Sequence, residues 1–353
     1  MDAFSLRKDY KKFQRNNMLL LFSLLIAIFL SMYFALRLGV ADLDFSTCLQ
    51  VLLRKGDETL QVVLWDIRLP RILAAVVCGA GLGLSGCIMQ NNLKNTLASP
   101  STLGINSAAA FGANIGILLL NAGSTQSGSM DTLVIHLPYL VTLCSFCSSM
   151  LATIIILLIA KIRSFQPGVI VLAGVAVSSL FSAGITFIQY FAKDHHIASA
   201  VFWTFGNLGR ISWQELGILT VSTLLAFLYY LAHVWDYNAL INGEDSAKSL
   251  GVNTKQIRLR SMFFASLTTA ISVAFLGMIG FIGLIAPQIM RRIIGNDHRF
   301  LIPGSALLGS LVLLISDTVA RTILSPTIIP VGVITSFLGA PLFLYILMRD
   351  YKN

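Results

Sequence analysis

Long apolar runs, one after another, are the feature that most limits what this chain of 353 residues can fold into. Nine or ten runs reach the length of about 20 mostly apolar residues that a helix needs to cross a bilayer. Hydrophobic residues make up 56% of the chain and charged residues 12%, against about 25% charged residues in soluble domains. The sequence therefore predicts an all-α polytopic membrane protein with about ten transmembrane helices, in which residues 1–353 form a single transmembrane domain.

The basic residues predict how the chain is oriented. The net charge is +9, and five cations lie between Arg7 and Arg15, just before the apolar run that begins at Met18. Further cations gather at the ends of alternate runs, as the positive-inside tendency of cytoplasmic loops requires. We therefore expect both termini in the cytoplasm, a first helix that is retained rather than cleaved as a signal peptide, and no role in nucleic-acid binding.

Two groups of ionisable residues stand out against the apolar background. Asp317 and Arg321 are four residues apart within one predicted helix, a spacing that allows a structural ion pair. A carboxylate at membrane depth is also a candidate for a proton relay or a docking site. Arg68 and Arg71 lie at the predicted outer end of the second helix, where they either snorkel towards the interface or receive an acidic partner.

Patterns for catalysis or metal binding are few. Cys144 and Cys147 form a C-x-x-C within an apolar run, and His195 and His196 are adjacent in a polar loop. Packing and solvation explain these pairs better than a metal site does. The sequence contains no H-E-x-x-H, G-x-S-x-G or Walker A motif. We therefore expect no enzyme activity and no cofactor, and for any uphill transport an energy source in another subunit.

The polar stretch 236–260 is the longest between two apolar runs. Its part 242–260 is long enough for two short helices. Gly243 allows a sharp helix start, Ala247 and Leu250 fall on one helix face, and Gly251 ends the helix. A small, partly apolar protrusion of this kind fits a groove on a partner protein; an ordinary connecting loop is the alternative.

Short motifs follow one another along the chain in a fixed order. They are Arg68-Leu-Pro-Arg71, Leu84-Ser-Gly-Cys-Ile-Met-Gln90, Asn95-Thr-Leu-Ala-Ser-Pro100, Gly243-Glu244, Gly280-Phe-Ile-Gly-Leu-Ile-Ala-Pro287, Asp297-His-Arg299 and Pro330-Val-Gly-Val-Ile-Thr335. This ordered set covers nearly the whole chain. It resembles the FecCD-type permease subunits of bacterial ABC importers for iron–siderophore complexes, haem and vitamin B12.

The resemblance implies a type II ABC importer permease fold and a multi-subunit assembly. Two permeases, identical or paralogous, would enclose a path through the bacterial cytoplasmic membrane. Two cytoplasmic ATPase subunits would use ATP-Mg, and an extracytoplasmic substrate-binding protein would deliver the cargo. A ferric siderophore is the expected cargo, with haem or vitamin B12 (cobalamin) as alternatives. An ion-coupled carrier and an intramembrane enzyme are the less favoured functions.

The resemblance also implies roles for individual residues. Docking of the binding protein falls to Arg68, Arg71 and Arg321. Coupling to the ATPase falls to Gly243, Glu244, Ala247, Leu250 and Gly251. An inner gate is expected at Phe165, Pro167 and Gly168, where the match to the family is poor. Ile329 replaces an acidic residue that family members commonly carry before the proline that starts helix 10.

Overall fold

The computed structural model describes residues 3–38, 50–51, 53, 57–125, 133–135, 138–163, 165–325 and 327–350. The main helices are α1 (Ala3–Arg37), α2 (Glu58–Asn92), α3 (Ile105–Leu119), α4 (Pro138–Ile162), α5 (Pro167–Tyr190), α6 (Asp194–Thr204), α7 (Trp213–Ala232), α8 (Val234–Ile241), α9 (Glu244–Ser249), α10 (Thr254–Leu276), α11 (Ile282–Ile294), α12 (His298–Thr322) and α13 (Val331–Asp350). Two three-residue strands, β1 (Gly123–Thr125) and β2 (Leu133–Ile135), pair antiparallel.

Seven of these helices are long and apolar enough to cross a bilayer, namely α1, α2, α4, α5, α7, α10 and α12. Two more, α3 and α13, are shorter apolar helices. The tenth, α11, has 13 residues and carries a proline, Pro287. These ten helices confirm the predicted polytopic all-α fold, and the strand pair is a small addition that the sequence did not predict.

The central helix is α2. Its most apolar stretch is 78% buried, against 11% for α1 and 22% for α5. Glycines allow its neighbours to approach closely: a Cβ atom at Gly79 would overlap the backbone of Gly309 on α12, and one at Gly86 would overlap the carbonyl of Gly283 on α11. Because α7, α10, α11 and α12 all pack on it, the core lies around α2.

The two ends of the bundle are connected by α12. At one end of the bundle, here called the arginine end, Arg321 of α12 and Arg71 of α2 both contact Asp317. At the coupling end, His298 of α12 contacts α8, most of which lies in the predicted coupling segment, residues 236–260. A helix of 25 residues spans about 37 Å, so α12 runs the height of the bundle.

The predicted coupling segment differs from the sequence expectation in one respect. The sequence predicts two short helices within residues 242–260, but α9 is the only short helix there, because α8 precedes Asn242 and the long helix α10 already begins at Thr254. The Asn253 side chain starts α10 by accepting the Gln256 backbone N–H at 3.1 Å. The segment is therefore a compact turn of α8 and α9 joined directly to a spanning helix.

Replacing Gly86 by Ala should destabilise the bundle, because the added methyl group would overlap the Gly283 carbonyl and push α2 away from α11. Overpacking of this kind costs about 1–3 kcal/mol. The measurement is the thermal unfolding temperature of the purified protein in detergent. Gly217→Ala on α7 is the matched control, since nothing lies within 4 Å of its Cβ position. An equal loss of stability in both variants would contradict the close α2–α11 packing.

Candidate functional site

A buried carboxylate, Asp317, is the centre of the arginine end. Its side chain is fully buried, and its Oδ1 accepts hydrogen bonds from Arg71 Nε at 2.9 Å and Arg71 Nη2 at 2.8 Å. One turn further along α12, Arg321 Nε lies 3.1 Å from Asp317 Oδ2. One acid thus holds two guanidinium groups, which is the pairing that a charge buried in a membrane protein requires.

The C-terminal turn of α1 is bound at the same place. Arg68 Nη1 donates to the Leu36 carbonyl at 2.6 Å, and Arg321 Nη2 donates to the Ala35 carbonyl at 3.2 Å. The last carbonyls of a helix lack partners within the helix and form the negative end of its dipole. Cations are suitable partners for these carbonyls. The two arginines therefore join the end of α1 to α2 and α12.

The three arginines predicted to dock a partner therefore lie together, but inside the bundle. Their side chains belong to residues that are only 6–7% exposed. Arg71 also lies beneath the turn at Gly209, whose Cβ position is 3.0 Å from Arg71 Nη1. Docking by these residues stays a prediction, and it requires that an acid of the partner replace an internal acceptor.

The sequence predicts one of the two ionic contacts of Asp317. The pair with Arg321 follows from the spacing of four residues along a helix. The bond to Arg71 joins positions 246 residues apart, and no local spacing predicts it. The available signal was that an acid and a base within apolar runs both need a partner of opposite charge.

At the coupling end, Glu244 fixes the short helix α9 to α10. Its carboxylate lies 3.0 Å from Lys248 Nζ and 3.3 Å from Arg258 Nη1, and Thr254 Oγ1 donates to it at 3.4 Å. The hydrogen bond from Lys248, together with the charge of Arg258, holds the pKa of Glu244 below its usual range. The link is therefore charged at neutral pH and is lost only as the pH falls through that lowered pKa.

The other predicted coupling residues differ in exposure. Gly243 has φ +114° and Gly251 has φ +84°, backbone conformations that favour glycine on either side of α9. Ala247 is fully buried and belongs to the cluster around Tyr237, whereas Leu250 is 72% exposed. The two residues expected on one helix face are thus divided: Ala247 packs inwards, and Leu250 is available to a partner.

A second junction at the coupling end joins α1, α8 and α12. Asn238 of α8 donates Nδ2 to Asp297 Oδ1 at 3.0 Å, and its Oδ1 accepts the His298 backbone N–H at 2.9 Å. Asp297 caps α12 by accepting the Arg299 backbone N–H at 3.1 Å, and Arg299 Nη2 donates to the Tyr10 hydroxyl of α1 at 2.8 Å. The Asp297-His-Arg299 motif, which had no role of its own in the sequence, therefore ties α8 to α12.

The predicted inner gate lies between α4 and α5. Phe165 has φ +57° and is buried in a cluster that includes Leu93 and Ala98. Pro167 and Gly168 begin α5 and are exposed, and nothing lies within 4 Å of the Gly168 Cβ position. The gate residues thus divide between a packed turn and an open helix start, and gating by them stays a prediction.

A cavity of about 690 Å³ lies beside α13. Its wall is mostly apolar, and the polar side chains along it are those of Asn106, Thr204 and Ser336. Such a wall offers few hydrogen bonds to hold a bound molecule. Ile329, which stands where the family commonly has an acid, precedes α13, and its backbone N–H donates to the Ala320 carbonyl at 3.0 Å.

Metal binding finds no support in the described residues, which contain no group of three or more His, Cys, Asp or Glu side chains able to hold an ion. Cys144 and Cys147 on α4 are free thiols. Cys48, His136 and the side chain of His195 lie outside the described part of the chain. The expected absence of a cofactor therefore stays a prediction.

Asp317→Asn should destabilise the bundle strongly, because two buried guanidinium groups lose their carboxylate. Removing one partner of a buried ion pair costs about 3–5 kcal/mol. The double variant Arg71→Met, Asp317→Asn should lose less stability than the two single variants added together, since their side chains are in direct contact. Thermal unfolding in detergent measures all three variants. Additive losses, or a single Asp317→Asn variant as stable as the wild type, would contradict the central position of Asp317.

The chain is similar to known proteins along most of its length. The FecCD transport family matches residues 23–349. A Methanocaldococcus jannaschii protein, provisionally named an ABC transporter permease, is 47% identical over 98% of this chain and 99% of its own length. The hemin transport system permease protein HmuU of Yersinia pestis is 34% identical over 94% and 96%. The Fe(3+)-citrate import system permease protein YfmE of Bacillus subtilis is 32% identical over 95% and 96%.

A solved structure shares the fold. It is described as an inward-facing conformation of a metal-chelate type ABC transporter. The similarity has a TM-score of 0.80 at 30% sequence identity and covers 94% of this chain and 99% of that one. The arrangement of ten helices around α2 is therefore that of a known class of ABC transporter.

Proposed function

Since the chain belongs to the FecCD transport family of ABC importer permeases, we propose that it moves a ferric siderophore across the cytoplasmic membrane after delivery by a substrate-binding protein. It is a multi-pass membrane protein and a transport subunit. The observation that carries the proposal is that one helix, α12, joins the Asp317 cluster at the arginine end to the Asp297 junction at the coupling end.

The energy for transport is assigned to two separate cytoplasmic ATPase subunits that hydrolyse ATP-Mg. The sequence contains no Walker A motif of its own. Leu250 follows the mostly polar helix α9 and offers an apolar side chain that is 72% exposed, which suits insertion into a groove on the ATPase. Gly243 and Gly251 bound the inserted segment.

Movement of α9 would reach the bundle by two connections. The ion pair between Glu244 and Arg258 joins α9 to α10. Asn238 joins α8 to Asp297, the residue that caps α12. A displacement of α9 by a closing ATPase pair would then move α10 and α12 together, as rigid helices shift in other switching proteins. Because α12 packs along α2, the displacement would extend to the arginine end.

The binding protein is proposed to dock at the arginine end through Arg68, Arg71 and Arg321. With both termini in the cytoplasm, this end faces outwards. Because each guanidinium group has an internal acceptor, carboxylates of the binding protein would replace Asp317 or the carbonyls of α1. Docking would thereby change how α1, α2 and α12 are held together, and clustered positive charge would steer an acidic partner.

The cargo is proposed to pass along the cavity beside α13, where a second permease, identical or paralogous, completes the path. Phe337 and Leu344 leave α13 with an exposed apolar face that this second subunit would cover. Relatives named for hemin and for Fe(3+)-citrate favour an iron complex as cargo. Haem and cobalamin are the alternatives, and parallel uptake assays with the three labelled compounds distinguish them.

Leu250→Asp should reduce ATP-dependent uptake about tenfold or more, because burying an unpaired carboxylate in an apolar groove costs more than the roughly 1.4 kcal/mol that a tenfold change requires. The assay is uptake of labelled ferric siderophore by proteoliposomes that hold the permease, the ATPase and the binding protein. Leu97→Asp is the control: Leu97 is 38% exposed and follows α2 at the same end, outside the coupling segment.

Uptake by the Leu250→Asp variant at the wild-type rate would contradict the proposed coupling. The same vesicles test the ion-coupled alternative. Uptake that persists without ATP and stops when the ion gradient is collapsed would overturn the ATP-driven mechanism.

A further inference from the structure

A groove between α4 and α10 at the coupling end is distinct from the sites described above. It encloses about 320 Å³, at the lower end of the range of about 300–1,000 Å³ found for small-molecule sites. It opens on the outside of the bundle: Leu158 of α4 is 54% exposed and Phe263 of α10 is 38% exposed. An exposed apolar surface of this kind on a multi-pass membrane protein suits contact with lipid chains.

The groove has one charged end and one apolar end. Lys161 lies at the C-terminal end of α4 and Arg260 in the second turn of α10, and both line the groove. Further along the helix axes, away from the coupling end, the lining is apolar, with Ile154 and Leu158 on α4 and Phe263 on α10. From Lys161 to Ile154 the helix descends about 10 Å. A cationic rim above an apolar wall matches the order of phosphate and acyl chain in a phospholipid.

The two cations are available for an external anion. Both residues are exposed, and the ion pairs formed by the described residues involve neither of them. Two residues before Arg260, Arg258 is instead buried and paired with Glu244. Successive arginines on α10 thus have different surroundings, one facing α9 and the other facing the groove.

We propose that the α4–α10 groove binds one anionic phospholipid of the surrounding leaflet. Its phosphate lies between Lys161 and Arg260, and an acyl chain lies along Ile154, Leu158 and Phe263. Basic pockets between transmembrane helices at the cytoplasmic side recognise anionic headgroups in this way. If the chain is the permease proposed above, the lipid also braces the first turns of α10 beside the Glu244–Arg258 ion pair; lipid binding itself does not depend on that function.

The test is native mass spectrometry of the full chain in detergent, titrated with dioleoyl phosphatidylglycerol or dioleoyl phosphatidylcholine. The wild type should bind one phosphatidylglycerol with a clear preference over phosphatidylcholine. In Lys161→Gln, Arg260→Gln the affinity for phosphatidylglycerol should fall about 30-fold, since each cation beside an anionic lipid surface contributes about 1 kcal/mol and 1.4 kcal/mol is tenfold.

Three controls decide between a built site and general attraction. The charge-conserving variant Lys161→Arg, Arg260→Lys should keep the binding and shows that the groove tolerates substitution. Arg15→Gln removes an exposed cation of α1 at the same end and should leave the affinity unchanged. Excess glycerol 3-phosphate, which has the anion but no acyl chain, should not displace the lipid.

Any of four results would overturn the proposal. They are equal binding of the two lipids, undiminished binding in the double Gln variant, an equal loss in Arg15→Gln, and displacement by glycerol 3-phosphate. Because the readout is lipid binding to the isolated chain, none of these results depends on whether the chain transports a ferric siderophore.

Discussion

A fully buried carboxylate is tolerated within a membrane bundle only when cations and hydrogen bonds surround it. Asp317 meets this constraint with Arg71 from α2 and Arg321 from its own helix. The same arginine end satisfies the last carbonyls of α1. This group of charges determines how α1, α2 and α12 meet. Moving any one of these three helices leaves a buried charge without one of its partners.

The close packing along α2 connects this group of charges to the coupling end of the bundle. Gly79 and Gly309 bring α2 and α12 into backbone contact, so neither helix slides freely past the other. At the coupling end α12 is capped by Asp297, which also holds Asn238 of α8. A buried ion cluster and a hydrogen-bonded junction at the coupling end are thus the two ends of one rigid element, an arrangement that suits a transporter that must respond on both sides of a membrane.

Much of the fold was predictable because membrane helices are selected by length and apolarity, which a single sequence records directly. The Asp317–Arg321 pair was predictable for a similar reason, since its spacing is local. Other features depend on how helices distant in sequence pack together. They are the bond between Arg71 and Asp317, the burial of the three arginines and the inward position of Ala247. The sequence shows that such charges need partners but not which partners they find. The prediction of two short helices within 242–260 is wrong because the Asn253 cap starts α10 at Thr254, before the apolar part of that helix begins.

The central claim is that α12 transmits between the two ends. Asn238→Ala tests it most directly, because it cuts the bond from α8 to α12 and leaves the predicted docking arginines and the coupling residues of α9 unchanged. The measurement is ATP hydrolysis by the assembled transporter, with and without the binding protein. Basal hydrolysis should persist while stimulation by the binding protein is lost. The control is Asn16→Ala, which changes an exposed asparagine of α1 outside the coupling segment and should behave as the wild type. Full stimulation in Asn238→Ala would contradict the account.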